Sequence, residues 1–159
     1  MTEKEFKDLE KEFCDYETSV SLKELGFREK CPTYYDTEDN VGLLLNTEWT
    51  SDYIPCQFID CLESHNSNTS DENSYVDAPT IYQAQKWLRK EKSIHVLPEL
   101  GLIYRNKNGL ITHYYRVLVK NMNSGIIITL DNDREDFESY EEALSEGIKN
   151  AIEILKQLV

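Results

Sequence analysis

Apolar and polar positions recur with clear periods in the second half of the chain. Two segments, residues 80–92 and residues 140–158, carry apolar residues at helical spacing, with charged residues on the other side. Each segment is introduced by a Ser or Thr that is followed three positions later by Gln or Glu, the pattern of a capping box. Both segments are therefore predicted to be amphipathic helices.

Strands are predicted between these two helices. Alternating apolar and polar residues and short apolar runs are typical of β-strands, and Asn108-Gly109 is a strong signal for a hairpin turn. Pro98 is expected to end the first strand, because proline cannot donate a hydrogen bond to a neighbouring strand. The four predicted strand segments are residues 93–97, 102–104, 110–119 and 126–130.

The first half of the chain is patterned less regularly. Residues 3–13 show one apolar helical stripe, and residues 20–25 indicate a short second helix that starts at Ser19 or Ser21 and ends at Gly26. Two β-like runs on either side of a polar turn predict a hairpin. These two runs are residues 31–35 and 41–45.

The middle of the chain carries weaker signals. Residues 46–63 hold apolar side chains without a clean period, so no element is predicted there. Residues 64–77 consist mostly of Ser, Asn, Thr and Asp, which bond to the backbone locally and compete with regular structure. This second segment is predicted to be a polar, mobile loop.

The order of the elements predicts the fold class. A chain of 159 residues is long enough to bury the core of one domain without disulfides or metal. We predict a single α+β domain over residues 1–159, built on an antiparallel sheet of about four to six strands that helices cover on one face. Its C-terminal half runs in helix-β-β-β-helix order, and the N-terminal hairpin can extend the same sheet.

The net charge of −13 is distributed unevenly along the chain. Residues 1–79 contain 6 Lys and Arg against 19 Asp and Glu, and residues 125–159 contain 3 against 9. Residues 80–124 contain 8 against 2. A basic segment thus lies between acidic flanks. Either the flanks complement it within the fold, or it forms a patch for an anionic ligand.

Composition bears on the class of protein and its location. Hydrophobic residues make up 40% of the chain, which is too apolar for a disordered protein. No apolar run approaches the roughly 18 residues that span a bilayer, and the N-terminus lacks the apolar stretch of a signal peptide. We expect a cytoplasmic protein that does not associate with membranes.

Three groups of residues carry a resemblance to known sequences. They are Pro32-Thr33-Tyr34-Tyr35, then Ala78-Pro79-Thr80 with Gln85-Lys86-Trp87-Leu88-Arg89-Lys90 and Ile94-His95-Val96, and Ser139-Tyr140-Glu141-Glu142-Ala143-Leu144 with Gly147-Ile148 and Ala151. In these pieces the chain resembles a group of small proteins, without an assigned activity, from Bacteroides-type bacteria, their phages and their mobile elements. The resemblance implies no cofactor and no site residue.

The four cysteines are expected to be reduced thiols, because no secretory signal accompanies them. Cys56, Cys61 and His65 place three possible zinc ligands within ten residues, and a fourth would have to be Cys14 or Cys31. The alternative is that these cysteines are small buried hydrophobic residues, the usual behaviour of free cysteine. We predict no metal site.

The sequence contains no recognisable catalytic or cofactor motif. A glycine-flanked Ser or Cys nucleophile, a phosphate-binding glycine loop and a dinucleotide fingerprint are all missing. The acidic run at residues 131–136 begins like a calcium loop but lacks the glycine and the final glutamate of one. We therefore expect no cofactor and no enzymatic activity.

The basic segment supplies the candidate site. If Ile111 and His113 face the helices, the residues of opposite parity on that strand face away, and basic residues of the neighbouring strand and turn can join them. The candidate partner-binding residues are His95, Arg105, Lys107, Tyr114, Arg116 and Lys120. Tyr and Arg are enriched at protein interfaces, but the same side chains can also bind phosphates or stack on bases.

Three hypotheses on function follow from these observations. We predict a non-enzymatic binding or accessory module that acts through protein–protein contact. The second hypothesis is nucleic-acid binding through residues 86–120, which the net charge disfavours at long range. The third is an inhibitor of phage or mobile-element type whose acidic surface mimics nucleic acid. The oligomeric state is not specified by the sequence.

Overall fold

The protein is described by a computed structural model that covers residues 10–36, 43–45, 75–105, 111–130 and 137–157. The helices in these ranges are α1 (Tyr16–Glu24), α2 (Ile81–Glu91) and α3 (Tyr140–Gln157). The strands are β1 (Thr33–Asp36), β2 (Leu43–Leu45), β3 (Tyr75–Ala78), β4 (Ile94–Arg105), β5 (Ile111–Asn121) and β6 (Ile127–Leu130). The α+β class and the C-terminal helix-β-β-β-helix order are confirmed.

The described strands form two antiparallel sheets of three strands each. Their orders are β2-β1-β3 and β4-β5-β6. The chain divides into two compact units, residues 1–80 and residues 81–159, and each unit contains one of the sheets. The predicted hairpin is confirmed as β1 and β2, but it pairs with β3 in a sheet of its own. That one domain spans the whole chain stays a prediction.

Helix α1 starts earlier than its sequence pattern indicates. Asp15 is the N-cap, and its carboxylate accepts a hydrogen bond of 2.9 Å from the backbone N–H three residues later. Ser19, one of the predicted starts, is buried inside the helix, where its hydroxyl donates to Cys14 O. The predicted end is confirmed, because Gly26 adopts φ +94° and closes a Schellman motif.

Two further predictions for the first unit are corrected. Phe13, the last residue of the predicted first helix, forms an isolated antiparallel bridge with Thr80, so the helix ends before it. Residues 1–9 lie outside the described residues. The predicted loop ends earlier than residue 77, because residues 75–77 belong to β3. Residues 64–74 also lie outside the described part of the chain.

The core of the first unit buries a phenol and two thiols. The hydroxyl of Tyr35 donates to Cys14 O at 2.9 Å, and its ring packs edge-on against Tyr16 with centroids 5.5 Å apart. Cys31 is fully buried. Burial, with the negative charge of Asp77 as a smaller cause, raises the pKa of the Cys31 thiol above its usual value. Burial also raises the pKa of the Tyr35 hydroxyl.

These buried groups predict a loss of stability in alkali. In the unfolded chain, Cys31 and Tyr35 release their protons near pH 9 and pH 10, whereas the folded chain holds both protons to higher pH. The free energy of unfolding is therefore expected to fall as the pH rises above about 9. Urea unfolding followed by circular dichroism at about pH 8 and about pH 10.5 measures the difference. A Cys31→Ala/Tyr35→Phe double variant should lose less stability over this interval; an equal loss would contradict the assignment.

In the second unit, α2 and α3 pack on one face of the sheet β4-β5-β6. Helix α3 is capped as predicted, since Ser139 Oγ accepts a hydrogen bond of 3.0 Å from Glu142 N. The Glu142 carboxylate in turn accepts from Glu138 N at 3.1 Å. The prediction of a sheet covered by helices on one side is confirmed for this unit.

Strand β4 is one strand rather than the two that were predicted. It continues through Pro98 and shifts register between Leu100 and Ile103. Ser93 O accepts a hydrogen bond from Met122 N and therefore faces β5. Because the backbone groups of successive strand residues point alternately to the two sides of the strand, those of Pro98, five residues later, face the outer edge of the sheet. An edge strand tolerates proline at such a position, because no ladder hydrogen bond is lost. The prediction that Pro98 ends the strand is therefore wrong.

A candidate partner-binding face

The three strands of the second unit have one face covered by helices and one that these helices leave open. On β5, Val117 and Val119 are completely buried, whereas Arg116 is exposed and Lys120 is half-buried. This alternation has the period of two that a sheet imposes on side chains. We call the uncovered side the open face. Its described residues are His95, Leu97, Glu99, Arg116, Leu118, Lys120, Ile127 and Thr129.

The strand register orders the open face into rows. His95, Lys120 and Ile127 lie side by side across β4, β5 and β6, and the next row is Leu97, Leu118 and Thr129. Glu99 and Arg116 form the third row. Directly opposite residues in an antiparallel pair have neighbouring side chains. The open face therefore has apolar side chains in its middle and at β6, with charged or protonatable groups on two sides.

The apolar part of this face is exposed to an unusual degree. Leu97 is 40% exposed and Ile127 is 56% exposed, and Leu118 lies half-buried beside Leu97. Single exposed apolar residues are common on proteins, but a group of neighbours on one surface is typical of an interaction site.

The charges of the open face are only partly available to a ligand. Arg116 places Nε at 3.2 Å and Nη2 at 3.0 Å from the same carboxylate oxygen of Glu99. Both side chains are about half exposed, so this ion pair adds little stability. It does hold the guanidinium in place and offsets its charge. Lys120 stands opposite His95 and takes part in no ion pair among the described residues.

The predicted site residues have different outcomes. His95, Arg116 and Lys120 are brought together on the open face. Arg105 and Tyr114 lie in β4 and β5, where only their backbone is described, and Lys107 lies outside the described residues. The sequence interpretation missed the apolar members of this surface. Leu118 lies two residues from both Arg116 and Lys120 on β5, and alternate residues of a strand share one face of the sheet. This spacing alone was sufficient to place Leu118 on the open face.

The basic segment divides between two surfaces. The exposed cations of α2 lie on a helix that packs against the covered side of the sheet, whereas Arg116 and Lys120 belong to the open face. The α2 cations are Lys86, Arg89 and Lys90, of which Lys90 is paired with Glu91 at 3.1 Å. The described cations of residues 86–120 therefore do not form one continuous basic patch.

Metal binding finds no support in the described part of the chain. Within it, no three His, Cys, Asp or Glu side chains are grouped so that they could hold a metal ion. Cys14 and Cys31 are buried free thiols. The possible ligands Cys56, Cys61 and His65 lie outside the described residues.

None of the described helices has the length and apolarity that crossing a membrane requires.

Comparison of the chain with known protein families, with curated proteins and with solved structures finds no match. The resemblance to small proteins of Bacteroides-type bacteria and their phages therefore stays a prediction.

Proposed function

We propose that the protein is a non-enzymatic binding or accessory module of the cytoplasm that contacts a protein partner through the open face. The observation that carries this proposal is the exposure of Leu97 and Ile127, with Leu118 between them, on the side of the sheet away from the helices. Exposed apolar surface of this kind releases water when a partner covers it.

The layout of the open face supports a protein as the partner. Protein interfaces have an apolar centre and a polar rim, and Arg is among the residues enriched in them. Here the apolar residues have the Arg116–Glu99 ion pair on one side and the His95–Lys120 pair on the other. A partner with apolar side chains and a carboxylate near Lys120 would match this arrangement.

The nucleic-acid hypothesis has less support. Of the two described cations on the open face, Arg116 is already bonded to Glu99 and Lys120 stands alone, while the exposed cations of α2 lie on a helix that packs against the covered side of the sheet. A net charge of −13 opposes approach to a polyanion. Nucleic-acid mimicry would use the acidic surfaces, and no contact among the described residues favours it.

A substitution in the middle of the open face is expected to remove partner binding. Leu97→Asp places a charge where the partner would bury an apolar side chain, and a central contact of this kind costs at least about tenfold in affinity. The measurement is quantitative capture of proteins from extracts of the producing cells, with the full-length chain as bait. Gln157→Asp, which adds the same charge at the end of α3, is the matched control and should capture as the wild type does.

The same preparation tests the competing function. Fluorescence polarisation with labelled duplex DNA and single-stranded RNA at low salt should show no binding by the wild type. Salt-sensitive binding that Arg116→Ala weakens would contradict the proposal and favour nucleic acid.

Equal capture of the same proteins by wild type and Leu97→Asp, with both proteins folded by circular dichroism, would contradict the open face as the contact surface.

A further inference from the structure

The two edges of the sheet β4-β5-β6 are built differently. At the β4 edge, Val96 O is directed away from β5 and accepts a hydrogen bond of 2.7 Å from Gln85 Nε2 of helix α2. Pro98, at the next outward-facing position, has no N–H to offer. A covered carbonyl and a proline are devices by which natural sheets prevent further pairing. The β4 edge is therefore protected.

The β6 edge carries none of these devices. Asn121 N donates a hydrogen bond of 2.9 Å to Ile126 O, so the backbone groups of the even-numbered residues here face β5. The backbone N–H and C=O groups of Ile127 and Thr129 therefore point to the outer edge of the sheet. Among the described residues, no strand pairs with β6 on that side. Its register with β5 is continuous, and Ile127–Leu130 contains no charge and no proline. Both Ile127 and Thr129 are exposed.

We propose that β6 pairs antiparallel with the β6 strand of a second copy of this chain. A two-fold axis beside Ile128 would place Ile127 of one copy opposite Thr129 of the other. The two outward N–H groups and two outward C=O groups of each strand would then form four hydrogen bonds between the copies. The edge is self-complementary, because its two outward-facing residues are spaced evenly about Ile128.

The charge distribution favours a second copy over a charged partner at this edge. Each chain carries −13, so two copies repel through most of their surfaces. β6 is uncharged, and the residue opposite Ile127 on β5 is the cation Lys120. The acidic run at residues 131–136 begins only after Leu130, so pairing of the two β6 strands brings uncharged edges together. Pairing would also join the two open faces into one surface of a six-stranded sheet. This self-association is separate from the proposed contact between the open face and a protein partner.

Thr129→Pro tests the edge without breaking the β5–β6 ladder. The N–H that proline removes points outward, so the substitution blocks pairing between copies and leaves the bonds to β5 in place. Sedimentation equilibrium of the full chain should show a monomer–dimer equilibrium for the wild type and a dissociation constant at least about tenfold higher for Thr129→Pro. Thr129→Val keeps the N–H and should dimerise as the wild type does.

Salt dependence and a second variant complete the experiment. Raising NaCl from about 0.05 M to about 0.5 M should strengthen the wild-type dimer, because it screens repulsion between two acidic chains. Ile127→Lys places a charge on the edge and should weaken the dimer even if Thr129→Pro is poorly folded. A wild-type chain that stays monomeric at all concentrations, or variants that dimerise unchanged, would overturn the proposal. Leu97→Asp should leave the dimer intact, so failure of this inference is distinguishable from failure of the open face as a partner site.

Discussion

Replacing Trp87 by alanine is expected to lower the free energy of unfolding by about 3–5 kcal/mol. Trp87 is the largest side chain on the buried stripe of α2 and is only 4% exposed. Its ring also has Lys92 Nζ 5.1 Å from the centroid, a cation–π contact that the substitution removes. Since α2 is held to the sheet and to α3 by this stripe, the lost side chain leaves a cavity that a short helix cannot fill.

Urea unfolding followed by far-ultraviolet circular dichroism measures this effect. Lys86→Ala, on the exposed side of the same helix, is the matched control and should change stability by no more than about 0.5 kcal/mol. Trp87→Phe should fall between the two, because it keeps part of the apolar volume. A Trp87→Ala variant as stable as the control would mean that α2 does not pack on the sheet as described.

Gly147→Ala is the second substitution with a large expected effect. Alanine favours helices over glycine by about 1 kcal/mol, so the exchange would stabilise an isolated helix. In α3 a β-carbon at this position would lie 2.5 Å from Val96 Cγ1 and 2.6 Å from Val117 Cγ2, both on buried, short and branched side chains. Helix and sheet would have to separate, which costs about 1–3 kcal/mol in a packed core.

The net expectation is that Gly147→Ala is less stable than the wild type. Glu153→Ala, on the exposed side of α3, is the control, since it changes the helix without touching the sheet. Thermal and urea unfolding of the two variants give the comparison. A Gly147→Ala chain more stable than the wild type would show that α3 lies farther from Val96 and Val117 than the described packing places it.

The second unit followed its sequence pattern because several local signals agreed there. Alternation along β5, the Ser139 cap and the helical stripes of α2 and α3 specify the same element order that the structure shows. The prediction that Pro98 ends a strand was wrong because a sequence does not show whether the backbone at a position faces a neighbouring strand or the outer edge of the sheet. That direction depends on strand order, which long-range pairing decides.

The first unit was predicted less well for a different physical reason. Helix α1 buries Thr18, Ser19 and Leu22, so polar side chains occupy much of its inward face and the apolar period is weak. Its start depends on the Asp15 carboxylate rather than on a hydrophobic stripe. Likewise, β3 pairs with β1 more than thirty residues away in sequence, and no local signal at residues 75–77 specifies that pairing.

The candidate site was predicted in part. Strand parity brought His95, Arg116 and Lys120 to one surface, as the alternation indicated. The apolar members were missed because the exposure of a leucine or isoleucine on a strand depends on which face of the sheet the helices cover. The structure thus changes the description of this surface from a basic patch to an apolar centre with the Arg116–Glu99 ion pair on one side and His95 and Lys120 on the other.

Photo-crosslinking in the producing cells shows directly what the open face contacts. A photoreactive phenylalanine derivative at position 97 places the probe in the middle of the open face, and the same residue at position 153 places it on the exposed side of α3. We expect position 97, but not position 153, to form a covalent adduct with a defined protein after irradiation. Adducts with nucleic acid at position 97, or equal adducts at both positions, would contradict a protein partner bound on the open face.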